Sequence, residues 1–209
     1  MPDTSKMTRS IKWKDDSKKT ELIFTLNRGD IGKCTTDSDP RHNAPYWERA
    51  EVRQEGNLEE NKNFVIKFDI NLSEGFSSER ETFFQIHASN NMCSAAPVLM
   101  MKLNYGKLII ELLEGISDDN ENGNHRNKYE GNLSIHDFKN YNSFEVLVNQ
   151  KEKNITIFKD DVMLIENQQY QQKTCSKLYS KFGIYRPGNE NTKRSIAIYK
   201  NISIRELSN

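Results

Sequence analysis

The sequence predicts an all-β, single-domain fold of sandwich or jelly-roll type. Three observations predict it. The apolar period is two, not 3.6, along most of the chain. The apolar runs are short and are separated by Gly, Pro, Asn and Asp. No long segment carries a clean helical period, and no repeat, coiled coil or linker divides the chain. At 209 residues one core suffices, because all-β domains of this size commonly stay undivided.

Taken in order, residues 1–10 are polar and read as a flexible tip, with one domain over 11–209. Glu21–Leu26 is a strand that ends at the turn Asn27-Arg28-Gly29. Arg49–Arg53 alternates charged and apolar side chains. Phe64–Ile70 places Phe64, Ile66, Phe68 and Ile70 on one face. Glu81–His87 is a strand. Val98–Leu103 and Lys107–Leu113 form a hairpin across Asn104-Tyr105-Gly106. The polar stretch Asp118–Asn127 reads as a long exposed loop. Phe144–Asn149 and Asn154–Phe158 form a second hairpin, and Val162–Ile165 follows Lys159-Asp160-Asp161. Ser180–Tyr185 is a strand, and Ser195–Arg205 reads as two strand pieces around Tyr199-Lys200-Asn201.

Composition excludes several classes. Thirty basic residues balance thirty acidic ones, so no global field favours nucleic acid. No apolar run approaches the roughly 18 residues a membrane span needs. The Met1–Lys6 segment has no apolar run after its charges, so it does not read as a secretory leader. Localisation stays open: retention in the cell, a removed leader and release by lysis all fit. The three cysteines, Cys34, Cys93 and Cys175, show no zinc spacing and read as small buried thiols. A Cys34–Cys175 or Cys93–Cys175 bridge is left open. The expected state is a monomer.

Chemistry concentrates in three stretches. Residues two apart on a strand point the same way. That rule puts Arg49, Glu51 and Arg53 on one face, Gln85 with His87 on one face, and Tyr179, Lys181 and Tyr185 on one face. Ala50, Val52, Ile86, Phe182 and Ile184 between them are core-type. Such a set suits β-elimination in a uronate polysaccharide. The carboxylate must be neutralised so that charge can develop at C5. A base must take the C5 proton, and an acid must protonate the departing O4. Arginine grips carboxylate in a fork. Histidine or ionised tyrosine can serve as base, and tyrosine as acid.

These residues also carry a resemblance. Arg49-Ala-Glu-Val-Arg53 resembles the R-[ST]-E-L-R motif of the jelly-roll alginate lyases. Gln85-Ile-His87 is identical to their Q-I-H motif, and Tyr179-Ser-Lys-Phe-Gly-Ile-Tyr185 is similar to their Y-F-K-A-G-x-Y motif. Arg186 stands where those enzymes usually carry an amide. The ending through Tyr185-Arg186, with Pro97-Val98-Leu99 after Gln-Ile-His, looks closer to the heparin lyase I and glucuronan lyase group. The resemblance implies a concanavalin-like sandwich of two antiparallel sheets and an anionic uronate polysaccharide as partner. It implies that Arg49, Gln85 and His87 neutralise the carboxylate, with His87 alternatively the C5 base. It implies Tyr185 as acid at O4, or as acid and base together. Arg53, Lys181 and Tyr179 would hold substrate, and Glu51 would orient the arginines.

Other readings are weaker. A non-catalytic carbohydrate-binding jelly roll would use the same basic face but would need neither a proton-transfer tyrosine nor a histidine. Glycoside hydrolysis needs paired carboxylates, and no strand carries such a pair. No cofactor is required. Asp118–Gly123 resembles the start of a calcium loop but lacks the carboxylate expected at its end, so a structural calcium there is only an alternative. His42, His125 and His136 receive no role.

Overall fold

Among the described residues the chain forms thirteen strands: β1 (Ser10–Trp13), β2 (Leu22–Leu26), β3 (Tyr46–Arg53), β4 (Asn63–Ser73), β5 (Glu81–Ser89), β6 (Pro97–Asn104), β7 (Lys107–Glu114), β8 (Asn124–Gly131), β9 (Asn142–Asn149), β10 (Asn154–Lys159), β11 (Val162–Gln169), β12 (Lys177–Gly188) and β13 (Ser195–Leu207). This computed structural model describes residues 10–13, 20–32, 37–38, 45–55, 58–73, 76, 80–89, 96–117, 123–131, 139–172, 177–190 and 192–207. One sheet runs β1-β2-β13-β4-β9-β10-β11 and the other β3-β12-β5-β6-β7-β8. All pairings within them are antiparallel. The expected two-sheet all-β sandwich is what forms.

The inner faces meet in one apolar core. Phe64, Ile66, Phe68 and Ile70 of β4 are buried, as their alternation predicts. Phe68 packs against Phe84 and Phe182 of the other sheet, with ring centroids 4.9 and 5.5 Å apart. Those two rings follow or precede Gln85 and Lys181 directly in sequence. The core therefore anchors the strands that carry the candidate site residues. Asn104 pairs with Lys107, so the first hairpin turns on Tyr105 and Gly106 alone, at φ of 50° and 78°. Both residues at positive φ match the right-handed twist of the flanking strands.

Three elements differ from the sequence reading. Ser10–Trp13 is a strand, β1, that the sequence reading did not name, and it begins within the expected N-terminal tip. Ser195–Leu207 is one continuous strand rather than two pieces. Asn201, at φ 53°, is absorbed as a bulge against β4, where the register shifts between Lys200 and Ser203. Residues 124–127 of the expected loop are the start of β8, the edge strand paired with β7. An edge strand can be polar on both faces when it is largely solvated, which hid it from an apolar-period search. Residues 118–122, the calcium-like stretch, lie outside the described residues, as do Cys34, Cys93, Cys175, His42 and His136.

Candidate active site

The sandwich places β12 between β3 and β5. Register then brings the three motifs together. Lys181 faces Arg53 and Tyr185 faces Arg49 across one ladder. Tyr179 faces His87 and Lys181 faces Gln85 across the other. Directly opposed residues share a face. All eight candidates, Arg49, Glu51, Arg53, Gln85, His87, Tyr179, Lys181 and Tyr185, therefore lie on the outer face of the six-stranded sheet. Ala50, Phe84, Ile86, Phe182 and Ile184 lie on the opposite face, in the core.

A pair of bulges fine-tunes this row. Tyr185 pairs with Thr82 only because Gly183 adds a residue to β12. Gly183 sits at φ 134°, and a Cβ there would lie 2.2 Å from the Ala50 carbonyl oxygen. Glycine is thus needed both for its dihedral and for the close strand approach. The displaced backbone is satisfied from across the sandwich. The buried Tyr199 hydroxyl of β13 hydrogen-bonds the Phe83 carbonyl and accepts from the Gly183 N–H at 3.3 Å.

Arg49 is held from two sides. Its Nε and Nη2 donate to the Asp37 carboxylate at 3.1 and 2.9 Å, and its Nη1 donates to Glu51 at 2.7 Å. The other Glu51 oxygen accepts from Gln85 Nε2 at 2.5 Å. One carboxylate therefore joins Arg49 and Gln85. Asp37 is fully buried, and its carbonyl accepts from the Trp47 N–H at 2.7 Å. It fits because position 32 is glycine: a Cβ there would sit 1.8 Å from Asp37 Oδ2.

Tyr185 is fixed through its ring. The Trp47 ring stacks on it at 4.9 Å and 18°, and the Arg49 guanidinium lies 4.3 Å from its centroid. Tyr179 stacks on His87 at 5.5 Å and 19°, and Arg53 lies 3.7 Å over Tyr179. Lys181 Nζ is 5.7 Å from the same Tyr179 ring. Among the described residues, Arg49, Arg53 and Lys181 face two carboxylates here, Asp37 and Glu51, so this described floor is net positive. That supplies the local basic patch that the balanced overall charge leaves open.

His87 is kept neutral. Burial, foremost, and then Lys181 push its pKa down to about 3, with Arg49 and Arg53 adding to the effect. The hydrogen bond from its Nδ1 to the Ala88 carbonyl, 2.7 Å, pulls the other way without prevailing. A carbonyl only accepts, so Nδ1 carries the ring proton. In the neutral ring Nε2 then bears a lone pair.

Sequence reasoning missed two members of this constellation. Trp47 lies in phase with Arg49, Glu51 and Arg53, so extending the alternation by one step would have found it. Asp37 has no local signal, because it reaches Arg49 from a turn. Arg186, the departure after Tyr185, does not share the face of Tyr185. It points inward and is buried, donating to Glu48 at 2.5 Å, and to Glu81 and Ser195 at 2.6 Å each. His125 belongs to β8 and bonds the Pro97 carbonyl at 2.8 Å. Among the described residues, no group of three His, Cys, Asp or Glu side chains is placed to hold a metal.

This geometry meets an independent finding in the sequence. The polysaccharide lyase family profile matches residues 6–202. The chain belongs to the polysaccharide lyase family. No curated protein matches this lyase by sequence. Its fold is that of solved jelly-roll alginate lyases. The lyase is similar to alginate lyase A1-II′, a member of polysaccharide lyase family 7, with TM-score 0.68 and 18% identity over 95% of this chain and 84% of that one. It is similar to alginate lyase PA1167 from Pseudomonas aeruginosa, with TM-score 0.64 and 16% identity over 97% and 89%. It is also similar to alginate lyase AlyC3 solved with dimannuronate, with TM-score 0.62 and 17% identity over 93% and 77%.

Proposed function

We propose that this lyase cleaves a uronate polysaccharide by β-elimination on the outer face of β3, β12 and β5. The observation that carries the reading is the joint placement of a neutral histidine, a ring-clamped tyrosine and a braced arginine on that one face. Arg49 and Gln85, oriented by Glu51, take the substrate carboxylate and stabilise the charge that develops on it. Arg53, Lys181 and Tyr179 hold the chain beside them.

His87 is the C5 base in this reading, because its Nε2 lone pair is the fixed acceptor. A base whose conjugate acid sits at about 3 is weak. The incoming carboxylate offsets Lys181, Arg49 and Arg53, which are among the groups holding His87 down. Substrate binding thus strengthens its own base. The C5–H electron pair forms the C4–C5 double bond, the C4–O4 bond breaks, and Tyr185 gives its proton to O4. The products are an unsaturated uronate at the new non-reducing end and a shortened chain bearing the released hydroxyl. The structural neighbours solved with a GGMG substrate and with dimannuronate support alginate as the first polymer to test.

The test is ultraviolet absorbance of the unsaturated uronate on alginate, glucuronan, heparin, heparan sulfate and hyaluronan. A rise is expected with at least one of them. Tyr185→Phe keeps the ring packing and should lower kcat by about 100-fold or more, since it removes the proton donor. Full activity in that variant would sink the assignment. Binding without product on every polymer would favour a carbohydrate-binding module instead.

A further inference from the structure

The same sheet face carries a second charged group that the elimination reading does not use. Gln85 pairs with Met100, and Met100 with Glu111. Tyr185 pairs with Thr82, and Thr82 with Lys102. Lys102 and Glu111 therefore share the face of the catalytic row. Their neighbours Met100 and Ile109 are buried yet stand outside the sandwich core, as floor residues of that face. Strands lie about 4.8 Å apart. Lys102, the buried cation behind Glu111, is thus roughly 10 Å across the sheet from Tyr185.

Lys102 Nζ donates to Glu111 Oε1, and Arg80 Nη2 lies 3.8 Å from Glu111 Oε2. That second oxygen is buried and accepts no hydrogen bond. Lys102 is 4% exposed, whereas the Arg80 side chain is 41% exposed. Two cations thus share one carboxylate, and only Arg80 reaches solvent. Glu111 stands to Arg80 and Lys102 as Glu51 stands to Arg49 and Gln85: a buried carboxylate that orients cationic or amide donors.

We infer that Arg80, oriented by Glu111 and backed by Lys102, is a second anion subsite that takes the carboxylate of a sugar farther along the chain from the cleaved bond. The inference rests on the uronate reading above. It makes the enzyme prefer a polymer with closely repeated anionic groups over a short or sparsely charged one.

The test compares wild type with Arg80→Ala and Arg80→Lys on sodium alginate and on the shortest alginate oligosaccharide still cleaved. Arg80→Ala should raise KM on the polymer about 3- to 10-fold at unchanged kcat, as expected for a half-exposed charge contact. Arg80→Lys should restore most of the loss, and added salt should shrink the difference. The short substrate should not distinguish the three proteins. An active wild type whose KM on the polymer ignores Arg80→Ala would overturn the subsite and leave the elimination reading standing. If wild type makes no product, calorimetric binding of alginate decides. Weaker binding by Arg80→Ala would keep the subsite and remove the activity, while equal binding or none would overturn the subsite.

Discussion

Replacing Gly32 by alanine drives a methyl group into the Asp37 carboxylate. The new Cβ would lie 1.8 Å from Asp37 Oδ2, 2.8 Å from its Cγ and 3.0 Å from Arg49 Cβ. No such contact survives, so Asp37 must move. Moving it breaks both hydrogen bonds to Arg49 and strands a fully buried carboxylate. Separating a buried ion pair costs about 3–5 kcal/mol. For a chain of this size that lowers Tm by roughly 10 °C. The chemical effect is separate. Arg49 keeps the contact with Glu51 but loses the fork that sets its plane above Tyr185. Misplacing a gripping group by about an ångström costs up to about 100-fold, so kcat/KM should fall 10- to 100-fold. Thermal unfolding followed by circular dichroism reads the first effect, and initial rates of unsaturated-uronate formation read the second. In Gly32→Ala combined with Asp37→Ser, stability should partly return while activity does not, because the clash is relieved but Arg49 stays unbraced. A Gly32→Ala protein with wild-type Tm and wild-type kcat/KM would refute the reasoning.

Tyr199→Phe leaves the Phe83 carbonyl without the hydroxyl that serves it, and urea unfolding should show a loss of about 1–3 kcal/mol. Arg186→Met strands Glu48 and Glu81 and should cost about 3–5 kcal/mol, yet KM of the surviving folded protein should hold, because Arg186 faces the core side. The acid limb of kcat/KM should lie well below pH 6.5, because His87 stays neutral down to about 3, and Lys181→Met should shift that limb upward by removing a cation that disfavours the imidazolium. The same group sets a stability trend. Between pH 6.5 and about 3 the unfolded chain binds a proton that the native His87 refuses. Stability should therefore fall with acidification across that window, by up to about 1.4 kcal/mol per pH unit, and stay flat for this group above it. His87→Gln should remove that share of the slope in denaturant unfolding at a series of pH values.

Much of the site was legible before folding, for a simple reason. On a strand, face is decided by parity, so Arg49, Glu51 and Arg53 declare a common face from sequence alone, as do Gln85 with His87 and Tyr179 with Lys181 and Tyr185. The strands of the core declare themselves in the same way through Phe64, Ile66, Phe68 and Ile70. The sequence by itself thus determined the all-β class, the equipped faces and the type of chemistry they suit. It could not determine which strands are neighbours. That β12 lies between β3 and β5 is a long-range pairing, decided by how two sheets bury their apolar faces against each other. Only that pairing brings His87 against Tyr179 and Tyr185 against Arg49. Tertiary structure likewise decided the partners that arrive from elsewhere. Asp37 reaches Arg49 from a turn, Tyr199 reaches Gly183 from the opposite sheet, and Arg186 finds Glu48, Glu81 and Ser195 on three other strands. Each is a contact between residues far apart in the chain or on opposite faces, set by space filling and by the need to satisfy buried polar groups, and neither leaves a periodic trace in the sequence.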